Sequence, residues 1–96
     1  MYSVSWAPEA EEDYWNNIEY LLREFSVKEA QFFIAEVENY IKIIAENPFA
    51  FQSSGFKKVH SVPVVSQITI FYSIEKKDVF LLRFWNNFKD PKKLKL

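Results

Sequence analysis

The sequence predicts an α+β fold in the order β-α-α-β-β-β, with a helical hairpin packed on one face of a small, mainly antiparallel sheet. Three observations predict it: apolar residues recur at helical spacing from Ala10 to Ile44, the period changes to two after Gly55, and the last two apolar runs flank the charged turn Glu75-Lys-Lys-Asp78. The 96 residues read as one domain, 1–96, because no repeat or low-complexity tract marks a second. A domain this size buries only about 60 to 65 % of the surface its unfolded chain exposes, so its stability is modest.

The first element is a strand. Tyr2, Val4 and Trp6 alternate with Ser3 and Ser5, the pattern of a half-buried strand. Pro8 ends it and suits the first helical position, while Glu9, Glu11, Glu12 and Asp13 sit in the opening turns, where carboxylates favour the positive end of the helix dipole. Ala10, Tyr14, Ile18, Leu22 and Phe25 then predict a helix to about Phe25. Ser26-Val-Lys-Glu29 has the form of a capping box, which opens a second helix. Ala30, Phe33, Val37, Tyr40, Ile41 and Ile44 form its apolar stripe, and Asn47-Pro48 stops it. Two helices with almost no linker form an antiparallel hairpin. Pro48 to Gly55 is a loop that can seat Phe49 and Phe51 under the helices.

Three strands follow, Phe56 to Val62, Val64 to Ile74 and Asp78 to Trp85, as an antiparallel meander. Pro63 lacks a ladder donor and fits a strand end or bulge between the first two. Alternation assigns Ile68, Ile70, Tyr72, Phe80, Leu82 and Phe84 to the face that receives the helices. The other face then carries Thr69, Phe71, Ser73, Val79, Leu81, Arg83 and Trp85, which is too apolar for plain solvent contact. Such a patch marks a binding surface unless the C-terminal tail folds back over it. Phe71, Leu81, Trp85 and Phe88 are its candidate partner-binding residues.

Composition excludes several chemistries. Without cysteine there is no disulfide framework, thiolate metal site or cysteine nucleophile, and reducing cytoplasm is the expected location. No basic-then-apolar leader or membrane-length apolar run is present, and no His/Cys/carboxylate spacing suggests a metal. A single glycine makes nucleotide binding by backbone amides improbable, so no cofactor is expected. The net charge of −1 hides a polarised chain: residues 1–56 hold three basic residues against ten acidic ones, whereas residues 57–96 hold nine against three. That asymmetry points to a basic surface for a polyanion or acidic partner, and an acidic helical surface elsewhere.

The Trp6, Pro8, Ala10, Asp13 entry to the first helix, the Ile70-Phe71-Tyr72 strand and the ending Arg83, Asn86-Asn87, Asp90-Pro91 resemble, in order and spacing, the RelE/ParE superfamily. These are the toxin halves of bacterial type II toxin-antitoxin pairs, and the resemblance covers nearly the whole chain. It implies a cytoplasmic toxin that inhibits growth, as in plasmid stabilisation systems, until a cognate antitoxin lies along the sheet and helical hairpin. Contact with DNA would come only through the antitoxin. RelE-like members are ribosome-dependent mRNA endonucleases, whereas ParE-like members poison DNA gyrase without known chemistry of their own.

The first mechanism makes concrete demands. Metal-free RNA cleavage needs a base for the 2′-hydroxyl, cations for the phosphorane and an acid for the leaving oxygen. By the resemblance, Arg83 would clamp the scissile phosphate through its planar fork, with Lys57, Lys58, His60 and Lys89 as the other candidates. His60, the only histidine, has an intrinsic pKa of about 6.5 suited to proton transfer, yet alternation puts Lys57 on one face and Lys58 with His60 on the other. The endonuclease-like ending has a histidine or polar residue, glycine and two adjacent basic residues. Asn86, Asn87, Phe88 and Lys89 stand there instead, and no tyrosine follows Pro91. Asp90-Pro91 reads as a turn closing the last strand. The sequence therefore leans to a ParE-like poison of DNA gyrase, leaving open an mRNA endonuclease acting at the ribosome and a non-toxic binding module of the same fold.

Overall fold

The computed structural model describes all 96 residues. Its elements are β1 (Ser3–Trp6), α1 (Pro8–Glu24), α2 (Val27–Glu46), a 3-10 turn (Pro48–Ala50), β2 (Val59–Val65), β3 (Ile68–Glu75), β4 (Asp78–Asn86) and a second 3-10 turn (Pro91–Lys93). The α+β order is the expected one. The sheet runs β1-β4-β3-β2, with β1 parallel to β4 and the other pairs antiparallel.

Local chemistry accounts for the helix boundaries. Pro8 occupies the start of α1, and the Ser26 hydroxyl accepts the Glu29 backbone N–H at 3.2 Å to begin α2. The Pro48 turn is tied to the sheet because the Tyr72 hydroxyl donates to the Pro48 carbonyl at 2.6 Å. Phe51 packs there against Tyr40 with centroids 5.8 Å apart, whereas Phe49 stays exposed instead of seating under the helices.

The buried line of α1 is Ala10, Asp13, Asn17 and Leu21, with Tyr14 and Ile18 half-buried beside it. It is rotated from the expected stripe, and Leu22 and Phe25 are 49 % and 46 % exposed. Two polar side chains thus face the sheet. Their reason is the length mismatch between β1 and β4: β1 covers its neighbour only from Asp78 to Leu81, so the edge of β4 beyond Leu81 has no strand partner. Asp13 accepts the Phe84 N–H at 3.1 Å and Asn17 donates to the Phe84 carbonyl at 2.8 Å. The helix completes the ladder with side chains.

Strand boundaries also differ from expectation. β2 starts at Val59, which leaves Lys57 and Lys58 in the preceding turn, with Lys58 at a φ of 62°. Pro63 lies inside β2 at a register shift, and the chain reverses at Ser66-Gln67 instead. In β4 the register steps from Arg83↔Phe71 to Leu81↔Tyr72, so Leu82 is an extra, bulged residue. That bulge inverts the alternation. Val79 and Leu81 join Phe84 in the core, and the expectation that Phe80 and Leu82 would fill those places is corrected: both are only half-buried.

An aromatic cluster locks the hairpin to the sheet. Phe84 lies 4.9 Å from Trp6, 5.7 Å from Tyr14 and 6.4 Å from Phe33, centroid to centroid. Each such contact adds about 0.5–1.5 kcal/mol beyond area burial.

Candidate functional site

Arg83 was the strongest candidate from sequence, and the structure gives it a partner. Its Nε donates to one Asp13 carboxylate oxygen at 2.7 Å and its Nη2 to the other at 2.9 Å, a planar fork-on-carboxylate pair with side chains 18 % and 10 % exposed. Nη1 donates to the Lys95 carbonyl at 3.2 Å, and the guanidinium lies 5.3 Å from the Trp85 ring centroid. The hydrogen bond that Arg83 donates to Asp13 raises the Arg83 pKa above its ordinary value, partly opposed by burial. The same Asp13 oxygen that meets Nε also takes the Phe84 N–H. The carboxylate that completes the β4 edge therefore also holds the arginine.

His60 is occupied elsewhere. Its Nδ1 lies 2.9 Å from the Phe51 carbonyl, its ring stacks on Tyr72 at 5.5 Å and 19°, and Phe49 meets it edge-on at 6.0 Å. It pairs with Tyr72 across β2 and β3, whereas Arg83 pairs with Phe71, one residue away and hence on the opposite face of the sheet. His60 and Arg83 are thus separated by the sheet itself. Lys57 and Lys58 are exposed in the turn before β2. Of the five candidate catalytic residues, only Arg83 and Lys89 meet in one cleft, of about 460 Å³, lined also by Trp85, Asp90 and Lys93.

The open sheet face is narrower than the alternation implied. Leu81, expected there as a partner-binding residue, is 0 % exposed in the core, because the Leu82 bulge turns it toward the helices. Trp85 is on the open face but only 6 % exposed. The C-terminal tail covers it: Leu94 and Pro91 line a second cleft with Phe56, Phe71, Trp85 and Lys89, and Lys89 Nζ sits 5.6 Å from the Trp85 ring. Phe71 remains half-buried and Phe88 is 69 % exposed. The asparagine pair is structural in placement. Asn87 donates to the Ser66 carbonyl at 3.1 Å and accepts from Thr69 at 2.9 Å, and the Asn86 side chain accepts the Phe88 N–H at 2.9 Å.

Sequence reasoning missed Asn17 altogether and, while naming Asp13, missed that it pairs with Arg83. Dipole arguments explain Glu9 and Glu12, but Asp13 and Asn17 share the helical line of Ala10 and Leu21, and that spacing is the signal that places them inside. No group of His, Asp or Glu side chains is placed to hold a metal ion, and no helix is long and apolar enough to cross a membrane.

No protein-family model matches the chain, and no curated protein sequence matches it. Solved structures do. A chain from the chromosomal ParDE toxin-antitoxin system of P. aeruginosa aligns with a TM-score of 0.74 at 16 % identity, over 90 % of this chain and 96 % of that one. The YoeB dimer of Staphylococcus aureus gives 0.62 at 13 % identity, over 91 % and 98 %. The DinJ-YafQ complex of E. coli gives 0.59 at 8 % identity, over 90 % and 93 %. With two helices on a four-stranded mixed sheet in the β-α-α-β-β-β order, the chain has the fold of the RelE/ParE toxins.

Proposed function

We propose that the chain is the toxin of a type II toxin-antitoxin pair, working in the cytoplasm, and that it stops growth in the ParE-like way, by binding DNA gyrase without chemistry of its own. A cognate antitoxin protein neutralises it. The observation that carries this reading is the Arg83–Asp13 pair, in which both carboxylate oxygens engage the guanidinium at 2.7 and 2.9 Å. A phosphate clamp needs that fork free. The position of His60 supports the same reading, since the one side chain suited to neutral-pH proton transfer lies across the sheet from Arg83. The fold likeness to components of the ParDE system and the DinJ-YafQ complex supports a toxin held by an antitoxin.

Pulse labelling of DNA and protein synthesis, minutes after inducing the chain without its partner, tests the reading. Failure of DNA synthesis while translation continues is the expected result. A prompt stop in translation would overturn it in favour of the mRNA endonuclease, and growth without any defect would leave a harmless binding module. Co-expression with the product of an adjacent gene should restore growth and yield one stable complex.

A further inference from the structure

β1 is an outer strand, and its odd-numbered residues are committed to β4: the Ser3 N–H donates to Lys77 at 3.0 Å and the Ala7 N–H to Leu81 at 2.8 Å. Within a strand one residue's N–H and C=O point the same way, so those of Val4 and Trp6 point outward, away from the sheet. The other outer edge is closed differently. There Ser61 N–H bonds to Gln52 at 3.1 Å, Ser54 N–H bonds to Val59 at 2.9 Å, and Pro63 sits at a bulge. On the β1 edge only the Tyr2 N–H is taken, by the Ala45 carbonyl of α2 at 2.9 Å, and Ser3–Trp6 has no proline, lysine or bulge to blunt the rest.

Beside Val4 and Trp6 lies a cleft of about 580 Å³ lined by Val4, Ser5, Trp6, Glu11, Tyr14 and Trp15. Trp6 meets Tyr14 edge-on at 5.1 Å and 85°, and Tyr14 meets Trp15 at 5.3 Å and 79°, so three rings stand as walls at successive near-right angles. Trp15 is 60 % exposed, and the carboxylate of Glu11 stands one helical turn before it. Glu11 is in no salt bridge, since the only two join Arg23 to Glu24 and Arg83 to Asp13. Burial, and after it the negative charge of Glu38 on α2, raises the pKa of the Tyr14 hydroxyl.

We propose that this cleft anchors an arginine side chain on an extended segment of a protein partner, whose backbone pairs with the outward groups of Val4 and Trp6. A guanidinium stacks on aromatic faces and donates in a fork to a carboxylate, and the cleft offers both. Strand addition supplies the backbone bonds and the cleft supplies the side-chain choice. The acidic half of the chain steers a basic segment toward this edge. A second copy of the chain is the poorer occupant, because its own outer strand, Ser3–Trp6, would bring no arginine to the cleft. The site is independent of toxicity.

NMR titration of the full chain with the capped pentapeptide Thr-Val-Arg-Val-Thr, and with its citrulline counterpart, tests the assignment. Saturable shifts of the Val4 and Trp6 amides and the Trp15 indole N–H are expected, with the uncharged citrulline peptide binding about tenfold more weakly. Glu11→Gln and Trp15→Ala alter exposed side chains, so each should weaken the arginine peptide in a chain that still folds, Trp15→Ala lowering Tm by no more than the several degrees that its Tyr14 ring contact accounts for. No shift at those groups at millimolar peptide, equal binding of the two peptides, or shifts centred on Trp85 would overturn the proposal. Concentration-dependent protection of the Val4 and Trp6 amides without peptide would overturn it too, by showing that a second copy holds the edge.

Discussion

Replacing Asp13 by alanine removes one carboxylate from three donors at once: Arg83 Nε at 2.7 Å, Arg83 Nη2 at 2.9 Å and the Phe84 N–H at 3.1 Å. The guanidinium keeps only the Lys95 carbonyl and the Trp85 face, and the Phe84 N–H loses its acceptor. Removing one partner of a buried pair costs about 3–5 kcal/mol, and with the Arg83 side chain still 18 % exposed the lower end applies, about 3 kcal/mol. Against a total of about 5–10 kcal/mol for a domain this small, that is a large share. It lowers Tm by roughly 12–24 °C. Urea denaturation followed by tryptophan fluorescence, on Asp13→Ala, Arg83→Ala and the double variant, isolates the pair. The cycle should return a coupling of about 2 kcal/mol, because losing both partners leaves no unpaired charge. A coupling below about 0.5 kcal/mol would refute the pairing and return Arg83 to the pool of free cations.

Three further perturbations probe the rest of the assignment. Burial pushes the Tyr72 hydroxyl up to about 12 from 10.0, so the neutral form is favoured in the fold. The resulting stability is whole below about pH 10 and is lost as pH rises through about 12, up to roughly 3 kcal/mol. Tyr72→Phe should cost about 1 kcal/mol at neutral pH and remove that part of the alkaline decline in a urea series run from pH 8 to 12. His60→Ala should lower stability by about 1–2 kcal/mol through the Phe51 bond, yet leave growth inhibition unchanged at matched expression; loss of toxicity in a folded variant would restore a chemical role. Phe88→Ala should leave the urea midpoint within about 0.5 kcal/mol of the parent while weakening the antitoxin complex roughly tenfold in a calorimetric titration. Unchanged affinity would remove Phe88 from the interface.

What was legible in the sequence was whatever repeats. Seventeen residues of α1 and twenty of α2 announce themselves by period, by Pro8 at one start and by the Ser26 cap at the other. The strands were legible as apolar runs, but their faces were not, because a bulge inserts one residue without any local mark. Leu82 lies in a continuous apolar stretch, so counting by twos carried Leu81 to the wrong side. Pro63 was legible in part: its missing N–H suggested a strand end or a bulge, and it lies inside the outer strand β2 at a register shift, where no ladder donor is needed. At the site, Arg83 was visible and its condition was not. Whether an arginine is free depends on what lies seventy residues away, and the carboxylate that holds it looked like one of four acids serving a helix dipole.

The coupling between edge closure and Arg83 follows from strand lengths alone. β1 has four residues and β4 has nine, so a helix leaving β1 must pass along the uncovered end of β4. The peptide groups there need partners, and only side chains from that helix reach them. A neutral acceptor would satisfy the Phe84 N–H, as Asn17 satisfies the Phe84 carbonyl. A carboxylate does more, because it demands a cation in a site where it is 10 % exposed, and Arg83 is the next residue along the strand. Asp13 and Arg83 therefore require each other once the edge is closed in this way. A chain that kept Arg83 for phosphate chemistry would need an uncharged residue at position 13, so Asp13→Asn, which retains an acceptor for the Phe84 N–H, is the substitution that separates edge closure from capture of the arginine. If it preserves most of the stability and creates RNA cleavage absent from the parent, Asp13 holds an otherwise competent arginine in check; if it preserves stability and the chain still acts on DNA synthesis alone, the cationic fork serves the fold.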